Sequence, residues 1–437
     1  MTSPAHLHVE FLVKKDHHPV RVRYSIKESV EIYLHENVVE VGMKAQMGKD
    51  AFKDAHKKLG AFLREKKIEE IFLPTIAGKL EEQLYAIYDG NYRYDRYLSK
   101  KAVFLKKVYL EELPANLEQI RAIIDTQFMM RELLSTPYKD RNVAHFVDYA
   151  KKLLNRLNHI QVHVQDHKWL EKEGMNLHYA VGKGSEATDP PKWILIEYKG
   201  GKSDEPFIGL VGKGMVFDTG GYSLKPSDSM IEMHGDCAGA VLYLHLAYLL
   251  STLNVHKNVL IALPIADNSI SSNALRLSDI VVGRSKKSVE ITNTDAEGRL
   301  ILADSVAYLS QSYPLSCLIT SATLTALGKK MAGLFSENPK LRLALLESSE
   351  RADEPLWTLP FDKDSFMDLL KSDVADMKNA GKREASATQG AVFIYQHHTS
   401  DVPFAHLDIA GTTMDKSQGT SYGLRLFLDF VSTWKNS

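Results

Sequence analysis

VEITNTDAEGRLILADSVAYL, Val289 to Leu309, sets a strand-like run, a charged turn and a helix-length apolar stretch end to end. Val289 and Ile291 alternate with polar neighbours, as strand residues do. Asp295 and Glu297 follow two residues apart, and in an extended segment both side chains would leave the strand end on one side. Gly298 permits a tight backbone, after which RLILADSVAYL reads as a helix with an apolar face that anchors the acids. Two carboxylates held that close repel unless a cation lies between them or one stays protonated. A metal ion is the simplest resolution. The stretch therefore predicts an α/β unit with a charged site at its strand end.

The same alternation extends outward. KWILIEYKG, PFIGLVGKG, NVLIALPIA, CLITSAT and FAHLDIAG read as strands, and the run Cys237 to Leu250 reads as a buried helix. Strands alternating with helix-length runs predict an α/β fold with a mixed central sheet covered by helices, and sites in such sheets gather at the carboxyl ends of strands. A chain of 437 residues is longer than one core usually serves. Two domains are expected: a smaller N-terminal α/β domain over 1–115, a linking helix over 116–135 that ends at Ser135-Thr136-Pro137, and a larger catalytic domain over 136–437.

Composition narrows the function classes. Hydrophobic residues make up 44% and charged residues 25%, as in an ordinary globular protein. Lys and Arg number 54 against 55 Asp and Glu, which argues against a nucleic-acid binder. The two cysteines, Cys237 and Cys317, form neither a disulfide framework nor a thiolate zinc site, consistent with a reducing cytoplasm. MTSPAHLHVEFLVKKD has no signal-peptide pattern. The apolar run Cys237 to Leu250 is broken by His245 and is shorter than the roughly 20 residues of a membrane span.

A second charged cluster lies in VGKGMVFDTGGYSLKP, with Lys213, Asp218 and Lys225 among glycines, and Asp236 follows at the start of the buried helix. Three Asp and one Glu without histidine suit hard cations, Mn²⁺ or Mg²⁺, and also Zn²⁺. So many acids favour two ions, which at about 3.5–4 Å apart would clamp a water and a carbonyl together. Lys213 can be a ligand only as the neutral amine, so nearby dications would have to lower its pKa. Lys225 suits the charged state, aimed at a developing oxyanion.

NTDAEGRL together with VGKGMVFDTGGYSLK resembles the leucyl aminopeptidase family of two-metal exopeptidases, with weaker echoes in RELLSTP, SDVADMKNAG and FAHLDIAG. The resemblance covers roughly Asn116 to the C-terminus. It implies that Asp218 and Glu297 bridge the metals, that Lys213 and Asp236 complete one site and Asp295 the other. It further implies that Lys225 polarises the scissile carbonyl and that Arg299 holds a bicarbonate which accepts a proton. Peptide substrates and a homohexamer are implied as well. The substrate pocket would include Met233, Asn293, Thr323, Ala410 and Thr413. Beside the ligand Asp236, Cys237 stands where the family has methionine; two further departures bear on the pocket itself, the chain running from Thr325 directly into Ala326-Leu327-Gly328 in a loop that lines it in relatives, and Thr413 standing where a methionine is common. Leucine or another apolar residue is the expected preference.

Plainer readings stand beside these. Lys213 is alternatively a salt-bridge partner of Asp236, and Arg299 a structural counter-ion. His159, His163 and His167 recur every four residues but fit a strand better than a zinc site. Cys237 reads as a small buried hydrophobe. The competing function is a hexameric scaffold or DNA-binding regulator, against which the even charge balance weighs.

Overall fold

The computed structural model describes residues 10–13, 19–27, 29–44, 46–325, 327–382 and 384–435. The reading of the first 16 residues therefore lies, apart from 10–13, outside the described residues. The chain divides into two compact units between Met129 and Met130. That division falls inside the helix Leu117–Ser135, the segment expected to link two domains.

The first unit is a six-stranded sheet among the described residues, in the order Glu10–Val13, Lys107–Leu110, Glu70–Phe72, Val20–Ile26, Val38–Met43, Glu31–His35. Neighbours run parallel except the last pair, a hairpin turning at Glu36-Asn37, where Glu36 takes a positive φ. The helices Lys49–Glu65 and Leu80–Asn91 pack together. Phe128 meets Tyr88, Tyr92 and Phe104 edge-on.

In the second unit nine described strands form one mixed sheet. Phe207–Gly212 lies near its centre, with Leu315–Ala322 and Asn258–Asn268 parallel on either side. Lys192–Lys199 and Ile160–Gln165 continue one wing antiparallel, while Phe404–Asp408, Ala332–Phe335 and Leu356–Thr358 form the other. All residues of Asn258–Asn268 are buried, which is why NVLIALPIA is a continuous apolar run rather than an alternating one. Val211, Leu260, Ala262 and Leu318 share a core with Leu300, Ile301 and Val306 of the helix Gly298–Ser312. The alternate residues Leu210, Ile261 and Ile319 are equally buried. The helix Ala238–Thr252 packs on the same three strands and is itself nearly all buried. The mixed α/β sheet with helical cover is thus the fold expected.

Two glycines decide how close that buried helix comes. A Cβ on Gly239 would lie 2.2 Å from the Ser321 carbonyl oxygen and 2.8 Å from the Lys213 amide, and one on Gly212 would lie 2.4 Å from the Gly239 carbonyl oxygen. Helix and strand ends therefore meet backbone to backbone, and Ala240 N–H donates to the Lys213 carbonyl at 2.9 Å. This contact holds the turn before the helix, with Asp236, beside Lys213. Gly239→Ala is expected to destabilise the protein by about 1–3 kcal/mol through overpacking. The urea midpoint of unfolding checks it, and an unchanged midpoint would show that the helix can retreat without cost.

Candidate metal centre

Lys213 follows the central strand, and its amide donates to the Ser321 carbonyl across the sheet at 3.0 Å. Its Nζ lies 2.8 Å from Asp236 Oδ2 and 2.9 Å from Glu297 Oε1, and donates to the Thr323 carbonyl at 2.9 Å. A Cβ on residue 298 would stand 2.7 Å from that Nζ, so Gly298 leaves the room the ammonium occupies. Asp218 closes the strand Gly214–Asp218. Its Oδ1 accepts from Gly220 N–H at 2.8 Å and Asn268 Nδ2 at 2.7 Å, while Oδ2 pairs with Lys225 Nζ at 2.8 Å. Lys225 also pairs with Asp295.

Asp236 sits in the short 3₁₀ turn Met233–Cys237 that precedes the buried helix. Its Oδ1 accepts from Thr323 Oγ1 at 2.6 Å. The turn is held from behind by Arg141, whose fully buried guanidinium donates to the carbonyls of His234 and Thr136 and to Cys237 Sγ. Glu297 stands immediately before the helix Gly298–Ser312, where the helix dipole favours a carboxylate.

Residues 289–309 keep the expected order but not the expected geometry. The strand ends at Glu290, and Asn293 Oδ1 accepts from the Asp295 amide at 2.9 Å, bending the segment into a turn. Asp295 and Glu297 thus do not leave one strand side by side: Asp295 goes to Lys225 and Glu297 to Lys213. Local side-chain capping by asparagine overrides the period of two.

The cluster sets four carboxylates against two ammonium groups. Burial alone would lower the Lys213 pKa, but Asp236, Glu297 and Asp218 together outweigh it and raise it. Lys225 is raised in the same way, Asp218 and Asp295 overcoming its burial. Asp236 is pushed up, by burial first and then by Glu297 and Asp218 against the pull of Lys213. Asp218, Asp236 and Glu297 are all buried and each offers an oxygen within 4.8 Å of the others. Asp236 Oδ2, although 2.8 Å from Lys213 Nζ, accepts no hydrogen bond from the described residues. Buried hard oxygen donors with spare acceptor capacity, balanced only by displaceable ammonium groups, fit divalent cations.

Arg299 is buried and its Nη1 donates to the Asn379 carbonyl at 3.0 Å, while Nε has no hydrogen-bond partner among the described residues. Burial lowers its pKa to about 10, against the opposing pull of Glu297 and Asp408. A Cβ on Gly390 would come within 3.3 Å of its Nη2. An unfilled guanidinium edge of this kind fits a small oxyanion such as bicarbonate.

Of the expected pocket residues, Thr323 touches Asp236 and Asn293 caps Asp295. Met233 opens the turn that carries Asp236. Ala410 and Thr413 lie around the 3₁₀ turn Ala410–Thr412 and bond to Asp408 and to each other rather than to the acids. Met414, one residue further, lies against Gly235. Ala326 lies outside the described residues. Of the three histidines read as strand residues, His163 lies in the strand Ile160–Gln165 near Glu197, whereas His159 precedes that strand with a positive φ and His167 opens the helix His167–Lys172 near Glu186.

Four supporting residues escaped sequence reasoning. Asn379 accepts from the Thr292 and Asn293 amides at 2.9 and 3.2 Å and donates to the Asn293 carbonyl at 2.6 Å. Asn268 holds Asp218. Thr294 Oγ1 accepts from Ser223 N–H and donates to the Gly220 carbonyl. Asp408 accepts from the amides of Leu324, Thr325 and Ala410. Uncharged amides and a hydroxyl carry little signal in a single sequence, though Asn379 and Asp408 lie in the segments SDVADMKNAG and FAHLDIAG already singled out.

Comparison with known proteins bears on what such a site does. Residues 128–428 match the model of the cytosol aminopeptidase family, catalytic domain. A probable cytosol aminopeptidase of Syntrophotalea carbinolica is 34% identical over 78% of this chain and 72% of its own length. One from Protochlamydia amoebophila is 32% identical over 93% and 88%. Among solved structures, the bottromycin maturation enzyme BotP in complex with Mn aligns with a TM-score of 0.84 at 26% identity, over 95% of this chain and 99% of that one. Leucyl aminopeptidase from Leishmania major in complex with actinonin aligns with a TM-score of 0.82 at 24% identity, over 91% and 82%, a likeness of fold.

Asn379→Ala removes four hydrogen bonds that hold residues 292 and 293 in their turn. It is expected to weaken Mn²⁺ binding about 10–100-fold, the usual range for losing a group that orients ligands. Competition with a fluorescent chelator measures this, and an unchanged affinity would assign the turn's shape to Thr294 instead.

Proposed function

The chain belongs to the cytosol aminopeptidase family and is a peptide hydrolase, and from that premise we propose that it is a metal-dependent aminopeptidase releasing an apolar N-terminal residue, leucine among them, from peptides in the cytoplasm. The observation that carries this reading is the buried convergence of Asp218, Asp236 and Glu297 with two lysines as their contacting cations. Asp218 and Glu297 would be shared between two divalent ions, Mn²⁺ or Zn²⁺. Lys213 and Asp236 would complete one site and Asp295 the other. When bound, such a pair supplies Lewis acidity toward a carbonyl and a water made nucleophilic near neutral pH.

The rest is done by side chains of the chain itself. Asp236 is oriented by Thr323, and Asp218 by Asn268 and the Gly220 amide, so each carboxylate offers its free lone pairs in a fixed direction. Lys225 is more exposed than Lys213 and reaches the cluster from its open side, where an ammonium can donate to the oxygen of a scissile carbonyl as charge builds there. Arg299, with Nε unpaired among the described residues, would retain a bicarbonate able to take up a proton. Thr323, Met233, Asn293, Ala410 and Thr413 would border the first substrate residue. We further propose that subunits assemble as a homohexamer.

Metal-loaded protein is expected to turn over aminoacyl-arylamides, with apolar residues best. No turnover across a panel, in protein shown to hold metal, would overturn the proposal. Glu297→Gln should abolish activity and lose at least one metal by elemental analysis. Lys225→Ala should keep its metal and lose about 10²–10³-fold in kcat, as when an oxyanion donor is removed. If Lys225→Ala emptied the sites, the two lysines would not have separate roles.

A further inference from the structure

The strand ends that carry Asp218 and Asn268 have a second side. Side chains alternate along a strand, so Phe217 and Thr219 face away from Asp218, and Asp267 faces away from Asn268. There they border a cleft of about 520 Å³ with Tyr138, Ser269 and Ile270. None of the charged residues of the candidate metal centre lines it.

Asp267 is the unusual member. It is 5% exposed, yet no described lysine, arginine or histidine pairs with it. Ser269 Oγ and Tyr138 Oη, the latter at 3.2 Å, both donate to one oxygen, Oδ2. The other, Oδ1, accepts no hydrogen bond from the described residues and is left to the cleft. The nearest charges are unfavourable, since Asp189 and Asp218 both act on Asp267 as like charges. Asp189 is already committed to the amides of Val143 and Ala144. A carboxylate withdrawn from water without a counter-ion is costly unless a cation arrives. Tyr138 and Phe217, whose rings meet at 6.0 Å and 64°, bring aromatic surface to the same cleft, and aromatic faces attract ammonium and guanidinium groups.

We propose that this cleft is a second binding site, taking a primary ammonium or guanidinium group on a short apolar stem, with Asp267 Oδ1 as counter-ion and Tyr138, Phe217 and Ile270 around the stem. The hydroxyls of Ser269 and Tyr138 hold the carboxylate, so the cation meets an acceptor already oriented. The site is independent of the reaction proposed above, because it uses the opposite side of the strands.

Isothermal titration of the metal-loaded protein with benzylammonium, and with its neutral counterpart benzyl alcohol, tests this. Saturable binding of benzylammonium is expected, with the alcohol at least about tenfold weaker, as loss of a charged hydrogen bond implies. Asp267→Asn should weaken benzylammonium by a similar factor, while Glu297→Gln should leave it unchanged, which separates this cleft from the metal centre. Equal binding of amine and alcohol, no binding of either, or indifference to Asp267→Asn would overturn the proposal. Should Asp267→Asn fail to fold, crystals of the unsubstituted protein soaked in 4-iodobenzylamine decide it by the iodine anomalous signal. Density beside Asp267 supports the site, and its absence there overturns it.

Discussion

Everything at the strand ends turns on charge compensation. Asp218, Asp236, Asp295 and Glu297 are brought together, three of them buried, and among the described residues the cationic groups paired with them are the ammonium groups of Lys213 and Lys225. Bringing such acids out of water without cations would cost several kcal/mol per ion, by order of magnitude. Lys213 and Lys225 make the cluster tolerable without filling it, because two positive charges leave two negative ones over. That excess makes the cluster compatible with divalent cations, and Asp236 is pushed up by its burial first and by Glu297 and Asp218 after it.

Holding that cluster requires a backbone that comes unusually close. The Gly212 and Gly239 contact lets the turn of Asp236 lie against Lys213, and Gly298 leaves space for the ammonium itself. Around these, a shell of neutral groups fixes direction: Asn268 on Asp218, Thr323 on Asp236, Asn293 on the Asp295 amide and Asn379 on residues 292 and 293. Arg141 acts from the rear, fully buried and bonded to two carbonyls and a thiol.

What the sequence revealed follows from the range of the physics. Continuous apolar runs such as NVLIALPIA mark strands buried on both faces, so the sheet and its helical cover were legible. Charged residues in glycine-rich strand ends stand out against an apolar background, so all six members of the cluster were legible too. The path of the chain through Asn293 to Glu297 was not, because a single asparagine side chain bonding two residues ahead replaces extension with a turn. Asn379 and Asp408 act across contacts of 80 residues or more, which no local pattern encodes.

That separation along the chain has a bearing on biosynthesis. All six charged groups are translated between positions 213 and 297, whereas Thr323, Asn379 and Asp408 emerge afterwards. A nascent polypeptide that has just released the helix Gly298–Ser312 from the ribosome therefore carries every acid, both lysines and the braces Asn268 and Asn293, but lacks Thr323, Asn379 and Asp408. The spacing of the carboxylates is settled only when the later strands fold back, so hydrolytic competence comes late in synthesis.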